Sequence, residues 1–168
     1  MDPTDSTIFF NRGIAYSQLH KYKRAINDFD KAIEIDSCNV DYYVERAETH
    51  ARRSDFQLAI HDYDKAIMLN QNDHQHYKDR ADAYSNLGHY QQAINDYNKA
   101  IELDPKLADS YVDRGVDYVS LGDYSKAMED YNKAIELDPK NGVAYNNRGL
   151  FIKRLETTSR HQWILKER

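Results

Sequence analysis

GDYSKAMEDYNKAIELDP, from Gly122 to Pro139, occurs almost unchanged 34 residues earlier as GHYQQAINDYNKAIELDP, from Gly88 to Pro105. The same frame slides back onto SDFQLAIHDYDKAIMLNQ (Ser54 to Gln71) and HKYKRAINDFDKAIEIDS (His20 to Ser37), so four copies lie in register. A period of this length decides a fold before any single residue does, because it marks a unit that stacks on copies of itself. Within the quoted stretch Ala127, Tyr131, Ala134 and Ile135 recur at spacings of three and four, which is one face of a helix. Each copy also has an upstream half: YVDRGVDYVSL from Tyr111, YKDRADAYSNL from Tyr77, YVERAETHARR from Tyr43 and FNRGIAYSQL from Phe10, with a fifth beginning at Tyr145. There Tyr111, Arg114, Gly115, Tyr118 and Leu121 share a helical face. Gly88 and Gly122 stand where the first helix should stop, and Asp-Pro at 104–105 and 138–139 where the second should stop. The chain reads as all-α, a series of antiparallel helix hairpins.

An aromatic, then Arg-Gly or Arg-Ala, then Tyr, then Ala-x-x-x-Tyr/Phe and a closing Pro, all within one period, resembles the tetratricopeptide repeat (TPR) family. The resemblance covers about residues 6 to 155, with copies at 6–39, 40–73, 74–107 and 108–141, a partial fifth at 142–155, and an atypical cap or tail at 156–168. It implies a right-handed superhelical solenoid whose concave wall is lined by the first helix of each hairpin. The chain departs from the family in three places. Arg12, Arg46, Arg80, Arg114 and Arg148 stand where Leu is more usual, His20 and Ser54 replace the turn glycine, and His50 takes the Tyr118 place and should pack less tightly. In the tail, Trp163, Ile164 and Leu165 could form a short apolar cap.

The bulk numbers exclude several classes. With 168 residues, 40% hydrophobic and 30% charged, the chain can build a core, and no apolar run approaches the roughly 20 residues of a membrane span. Met1, Asp2, Pro3 and Thr4 lack the basic and apolar stretches of a secretion signal, so a cytoplasmic setting is expected. Cys38 is the single cysteine, which removes disulfides and cysteine metal clusters. No phosphate loop, nucleophile elbow or His-Glu-x-x-His helix occurs, and His74, His76 and His89 lack an obvious arrangement of metal ligands. Neither enzyme activity nor a metal or other cofactor is expected.

Two charge patterns recur with the period. Asp28, Asp62, Asp96 and Asp130 lie on the close-approach face of the second helix, and the five arginines lie on the packed face of the first. An ion-pair ladder follows. Because the fifth unit retains Arg148 and has Ile164 where its own Asp would fall, each Arg is expected to pair backwards, Arg148 with Asp130, leaving Arg12 unpaired. On the other face of the first helices the acids gather: Asp41, Glu45 and Glu48, then Asp79 and Asp82, then Asp109 and Asp113, opposed by Arg52 and Lys78 and joined by Val112, Val116 and Val119.

That wall repels nucleic acid phosphates. The resemblance also implies a test for acidic chaperone peptides, which some members grip with Lys, Asn and Arg on three successive first helices. The matching residues are Phe10, Ile14, Glu45, Gln75 and Asp79, or in the next frame Val44, Glu48, Asp79, Asp109 and Asp113, and they cannot make such a clamp. The expected function is a non-catalytic protein-protein interaction scaffold. It would hold a basic or neutral peptide segment in an acidic groove formed by Asp41, Glu45, Glu48, Arg52, Lys78, Asp79, Asp82, Asp109, Val112, Asp113 and Val116. Two alternatives have their own basis. One is an assembly module that self-associates through its end repeats, with Ile8, Phe9 and Phe10 exposed; the other is a regulatory fragment of a larger protein. The ladder predicts that Asp96→Ala lowers stability by roughly 3 to 5 kcal/mol, the cost of breaking a buried pair; thermal unfolding reads the loss, and an unchanged midpoint removes the ladder.

Overall fold

The computed structural model describes residues 5–153, which divide into two compact units between Asp104 and Pro105. The first unit holds three hairpins: α1 (Ser6–Gln18) with α2 (Tyr22–Ile35), α3 (Val40–Arg52) with α4 (Phe56–Leu69), and α5 (His74–Asn86) with α6 (Tyr90–Leu103). The second holds α7 (Ala108–Leu121), α8 (Tyr124–Leu137) and a further helix, α9, from 142 to the last described residue. No strand occurs among the described residues. The expected Trp163, Ile164 and Leu165 cap lies outside them.

Local chemistry sets the helix ends. Asp5, Asn39 and Asp73 each accept the backbone N–H two residues on, capping α1, α3 and α5. The turn inside each hairpin needs a left-handed residue. Gly88 and Gly122 provide it at φ 76° and 81°, and in the first two repeats His20 and Ser54 adopt φ 56° and 64° against their preference. Asp104 and Asp138 end α6 and α8 in extended geometry, as a following proline requires.

The hairpins close by small-against-large packing. A Cβ on Gly13 would lie 2.6 Å from the Phe29 ring, and one on Gly115 would lie 2.7 Å from Tyr131. Ala47 packs with Ala59 and Tyr63, and Ala81 with Ala93 and Tyr97. In the second unit Val112, Ala127, Tyr131, Ala134 and Ala144 form the core. Two expectations change. Val112, 3% exposed, is a core residue and not part of an open wall. At the other end, Phe10 stacks 4.8 Å from Tyr42 and 6.0 Å from Phe29, while Arg12 and Lys31 both sit 5.5 Å over Phe9. With Ile8 half-buried beside them, these residues are not the bare apolar end that the sequence suggested. His50 is buried as well.

The ion-pair ladder is present, in a different register from the one expected. Arg12 donates from Nε and Nη2 to both oxygens of Asp28, at 2.7 and 2.8 Å. The same two-pronged contact joins Arg46 to Asp62 at 2.8 and 2.6 Å, Arg80 to Asp96 at 2.7 Å on both prongs, and Arg114 to Asp130 at 2.9 and 2.6 Å. Every pair lies within one hairpin, so Arg12 is paired. The reach backwards uses the remaining nitrogen: Nη1 of Arg46 meets Asp30 at 2.6 Å, that of Arg80 meets Asp64 at 2.5 Å, and that of Arg148 meets Asn132 at 2.8 Å. The expected Arg148–Asp130 pair is therefore replaced by Arg148–Asn132. A guanidinium has two usable edges, and the sequence argument had allowed each arginine one partner.

Packing and turn strain predict opposite signs for two substitutions. Gly13→Ala overpacks Phe29 and should cost about 1–2 kcal/mol, whereas Ser54→Gly relieves a left-handed side chain and should gain about 0.5–1 kcal/mol. Urea unfolding of the two variants checks both signs.

Candidate acidic interaction surface

In the first unit the ladder leaves several acids of α3 and α5 outside its own pairings, on another side of the same helices. Glu45 and Asp79 immediately precede Arg46 and Arg80. Pinning the arginine towards its own hairpin partner therefore turns the preceding carboxylate roughly 100° around the helix, onto the open face. Glu48 and Asp82 follow one turn later. Arg52 donates to Glu48 at 2.7 Å and to the Ser17 hydroxyl at 2.9 Å, and Lys78 donates to Asp82 at 2.9 Å. The two basic residues of the wall are thus already engaged with acids of their own helices, while exposed Asp41 stands at the start of α3.

Two carboxylates of this cluster are held above their ordinary range. Burial pushes Asp79 up to about 6, working against a 2.7 Å hydrogen bond donated by the Gln75 amide, with Asp82 and Glu48 adding repulsion. Burial also raises Glu45, and Glu48 and Asp41 add to the rise against Arg52. Two tyrosines belong to the same cluster. Tyr97 donates to Asp82 at 2.5 Å, and burial together with Asp79, Glu48 and Asp82 raises the Tyr63 phenol. Sequence reasoning placed both tyrosines in the packing and missed their polar ends. A signal was available in the second and third copies, where Tyr63 and Tyr97 replace Phe29 and Glu48 and Asp82 replace Ile14.

In the second unit Asp109 is exposed and accepts from the Asn141 amide at 3.1 Å; Asp113 is half-buried and Val116 is 41% exposed. A residue that the sequence did not single out, Asp117, is fully buried; burial raises the neighbouring Tyr131 phenol, and Asp130 and then Asp117 add to the rise.

Three family profiles, each described as tetratricopeptide repeat, match residues 6–37 and 108–141, residues 46–112, and residues 130–161. The chain belongs to the tetratricopeptide repeat family. Among solved structures, a MamA protein aligns with a TM-score of 0.84 at 27% identity, over 91% of this chain and 83% of that one. The Arabidopsis OM64 TPR domain aligns at 0.66 with 30% identity, over 68% and 95%. The first TPR of Spaghetti (RPAP3), bound to the HSP90 peptide SRMEEVD, aligns at 0.68 with 26% identity, over 72% and 96%. No curated protein matches. The fold and these neighbours make the TPR array a protein-interaction scaffold. No helix among the described residues is long and apolar enough to cross a membrane.

The Asp79 environment has a measurable consequence. A carboxyl whose folded pKa of about 6 exceeds its unfolded value of roughly 3.9 destabilises the fold above pH 6, and the penalty fades as pH falls towards 4. Asp79→Asn keeps an oxygen for Gln75 and should raise stability at pH 7.5 by about 1–2 kcal/mol, a gain that vanishes near pH 4. Chemical denaturation at the two pH values checks it; a variant less stable at pH 7.5 contradicts the assignment.

Proposed function

We propose that the array is a non-catalytic scaffold whose first unit holds a basic or neutral extended segment of a partner protein against the acidic face of α3 and α5. The observation that carries this reading is the carboxylate of Asp79, half-buried among other acids at a cost to the free protein. Folding alone gains nothing from such an arrangement, whereas a bound cation would remove the repulsion; stability given up locally is a common mark of a binding surface. Asp41, Glu45, Glu48, Asp79 and Asp82 form the surface, with Arg52 and Lys78 holding two of the acids in place. Asp109, Asp113 and Val116 are the counterpart residues of the second unit.

The charge preference separates this chain from its structural neighbour. The Spaghetti TPR is bound to SRMEEVD, a peptide ending in acids, and an acidic terminus would meet Glu45, Gln75 and Asp79 here. Nucleic acid phosphates meet the same repulsion. Cys38 is free and exposed, which suits a reducing compartment such as the cytoplasm.

Fluorescence anisotropy with three labelled peptides tests the reading: a glycine-serine nonapeptide carrying three arginines, its neutral parent, and SRMEEVD. The basic peptide should bind about tenfold or more tighter than the acidic one at low salt, with the gap narrowing as salt screens the wall, and Glu45→Lys with Asp82→Lys should abolish its binding. Equal or tighter binding of SRMEEVD overturns the proposal.

A further inference from the structure

The second and third repeats carry the same polar circuit in two states. Across the 34-residue register Glu45 corresponds to Asp79, Glu48 to Asp82, and Tyr63 to Tyr97. In the third repeat the circuit is closed: Asp82 accepts from Tyr97 at 2.5 Å and from Lys78 at 2.9 Å. In the second it is open. Glu48 has turned to Arg52 at 2.7 Å, and Tyr63, only 3% exposed, has no hydrogen-bond partner among the described residues. The Tyr63 hydroxyl instead faces Asp79, Glu48 and Asp82. Beside it, the one hydrogen bond to the Asp79 carboxylate comes from the Gln75 amide, and no side chain donates to the Glu45 carboxylate among the described residues.

The charge balance leaves a place for one cation. The groups that act on Asp79 are Glu48 on α3, Tyr63 on α4, and Lys78 and Asp82 on α5, with Arg52 of α3 bonded to Glu48 and Tyr97 of α6 bonded to Asp82. The two cations are already paired, with Glu48 and Asp82. The acceptors are spread out: no three His, Cys, Asp or Glu side chains among the described residues converge closely enough to hold a metal ion. A compact ammonium would satisfy one acceptor at a time, whereas a planar guanidinium presents donors along two edges and can bridge separated ones.

We propose that the open circuit of the second repeat is a subsite for one arginine side chain of the bound segment, seated between Asp79 and Glu48 with the Tyr63 hydroxyl beside it. The assignment rests on the groove reading above and narrows it to a residue type and a place. It also makes binding depend on pH, because a proton on Asp79 competes with the guanidinium. Affinity should hold above pH 7 and fall as the pH drops through about 6.

The full chain and the three-arginine nonapeptide test this, beside versions in which arginine becomes citrulline, which is close in shape and uncharged, or lysine. The arginine peptide should bind about fivefold or more tighter than the lysine peptide, and the citrulline peptide should bind no tighter than the neutral glycine-serine parent. Asp79→Asn should lower arginine affinity about fivefold and flatten the pH dependence between 7.5 and 5.5, and Tyr63→Phe should lower it about twofold. Asp79→Asn is expected to be more stable than the parent at neutral pH, so lost binding cannot be mistaken for unfolding. If lysine serves as well as arginine, or if Asp79→Asn binds like the parent with the same pH profile, the subsite is overturned. If binding then disappears in Glu45→Lys with Asp82→Lys, the groove reading stands without the subsite; if it survives there too, both fall.

Discussion

One arginine per hairpin, clasped by an aspartate of the same hairpin and, at Arg46 and Arg80, reaching back to the hairpin before it, is the contact on which the rest of the structure depends. The Nε and Nη2 edge of Arg46 closes on Asp62, and its Nη1 reaches Asp30; Arg80 does the same with Asp96 and Asp64. Asp62 is buried at 3% side-chain exposure and Asp30 is half-exposed at 47%, so the two ends of the contact differ in energetic weight. A buried ion pair is a poor source of net stability because desolvation offsets most of the attraction. It is effective at fixing register, since a shift by one residue would leave a charge buried and alone. In a stack of near-identical apolar faces, built from alanine and tyrosine, register is what the apolar contacts specify least.

The functional surface inherits its orientation from that clasp. The acids at 45 and 79 precede the arginines by one residue, so fixing the guanidinium against the second helix of the hairpin fixes the carboxylate roughly 100° around the first. Arg52 and Lys78 then hold Glu48 and Asp82 by contacts within single helices, leaving Glu45 and Asp79 without a cationic partner of their own, Asp79 with the Gln75 amide alone. The ladder that orders the hairpins thus also sets where negative charge is presented, and at what cost to the free protein.

Most of the fold was legible in the sequence, because every element of the argument was written several times. The hairpin turn shows as Gly88 and Gly122, the helix stop as Asp-Pro, and the ladder as Arg and Asp recurring in one frame. The pairing direction was not legible: counting one partner per arginine at the fifth unit pointed Arg148 to Asp130, and the forked donor that reaches Asn132 defeated the count. Val112 was misplaced for a related reason, since a valine alternating with acids on α7 reads as wall until Tyr131 is seen packed against it. At the candidate site the carboxylates were found from periodicity, whereas Tyr63 and Tyr97 were absorbed into the packing, because their rings answer the apolar pattern and only their hydroxyls do not.

A double-mutant cycle at Arg46 tests the central contact most directly, using Arg46→Gln with Asp62→Asn and, separately, with Asp30→Asn, each read by urea unfolding. The account predicts a coupling of about 2–3 kcal/mol with Asp62 and less than about 1 kcal/mol with the half-exposed Asp30. Additive losses for Arg46 and Asp62, with no coupling beyond error, would contradict it.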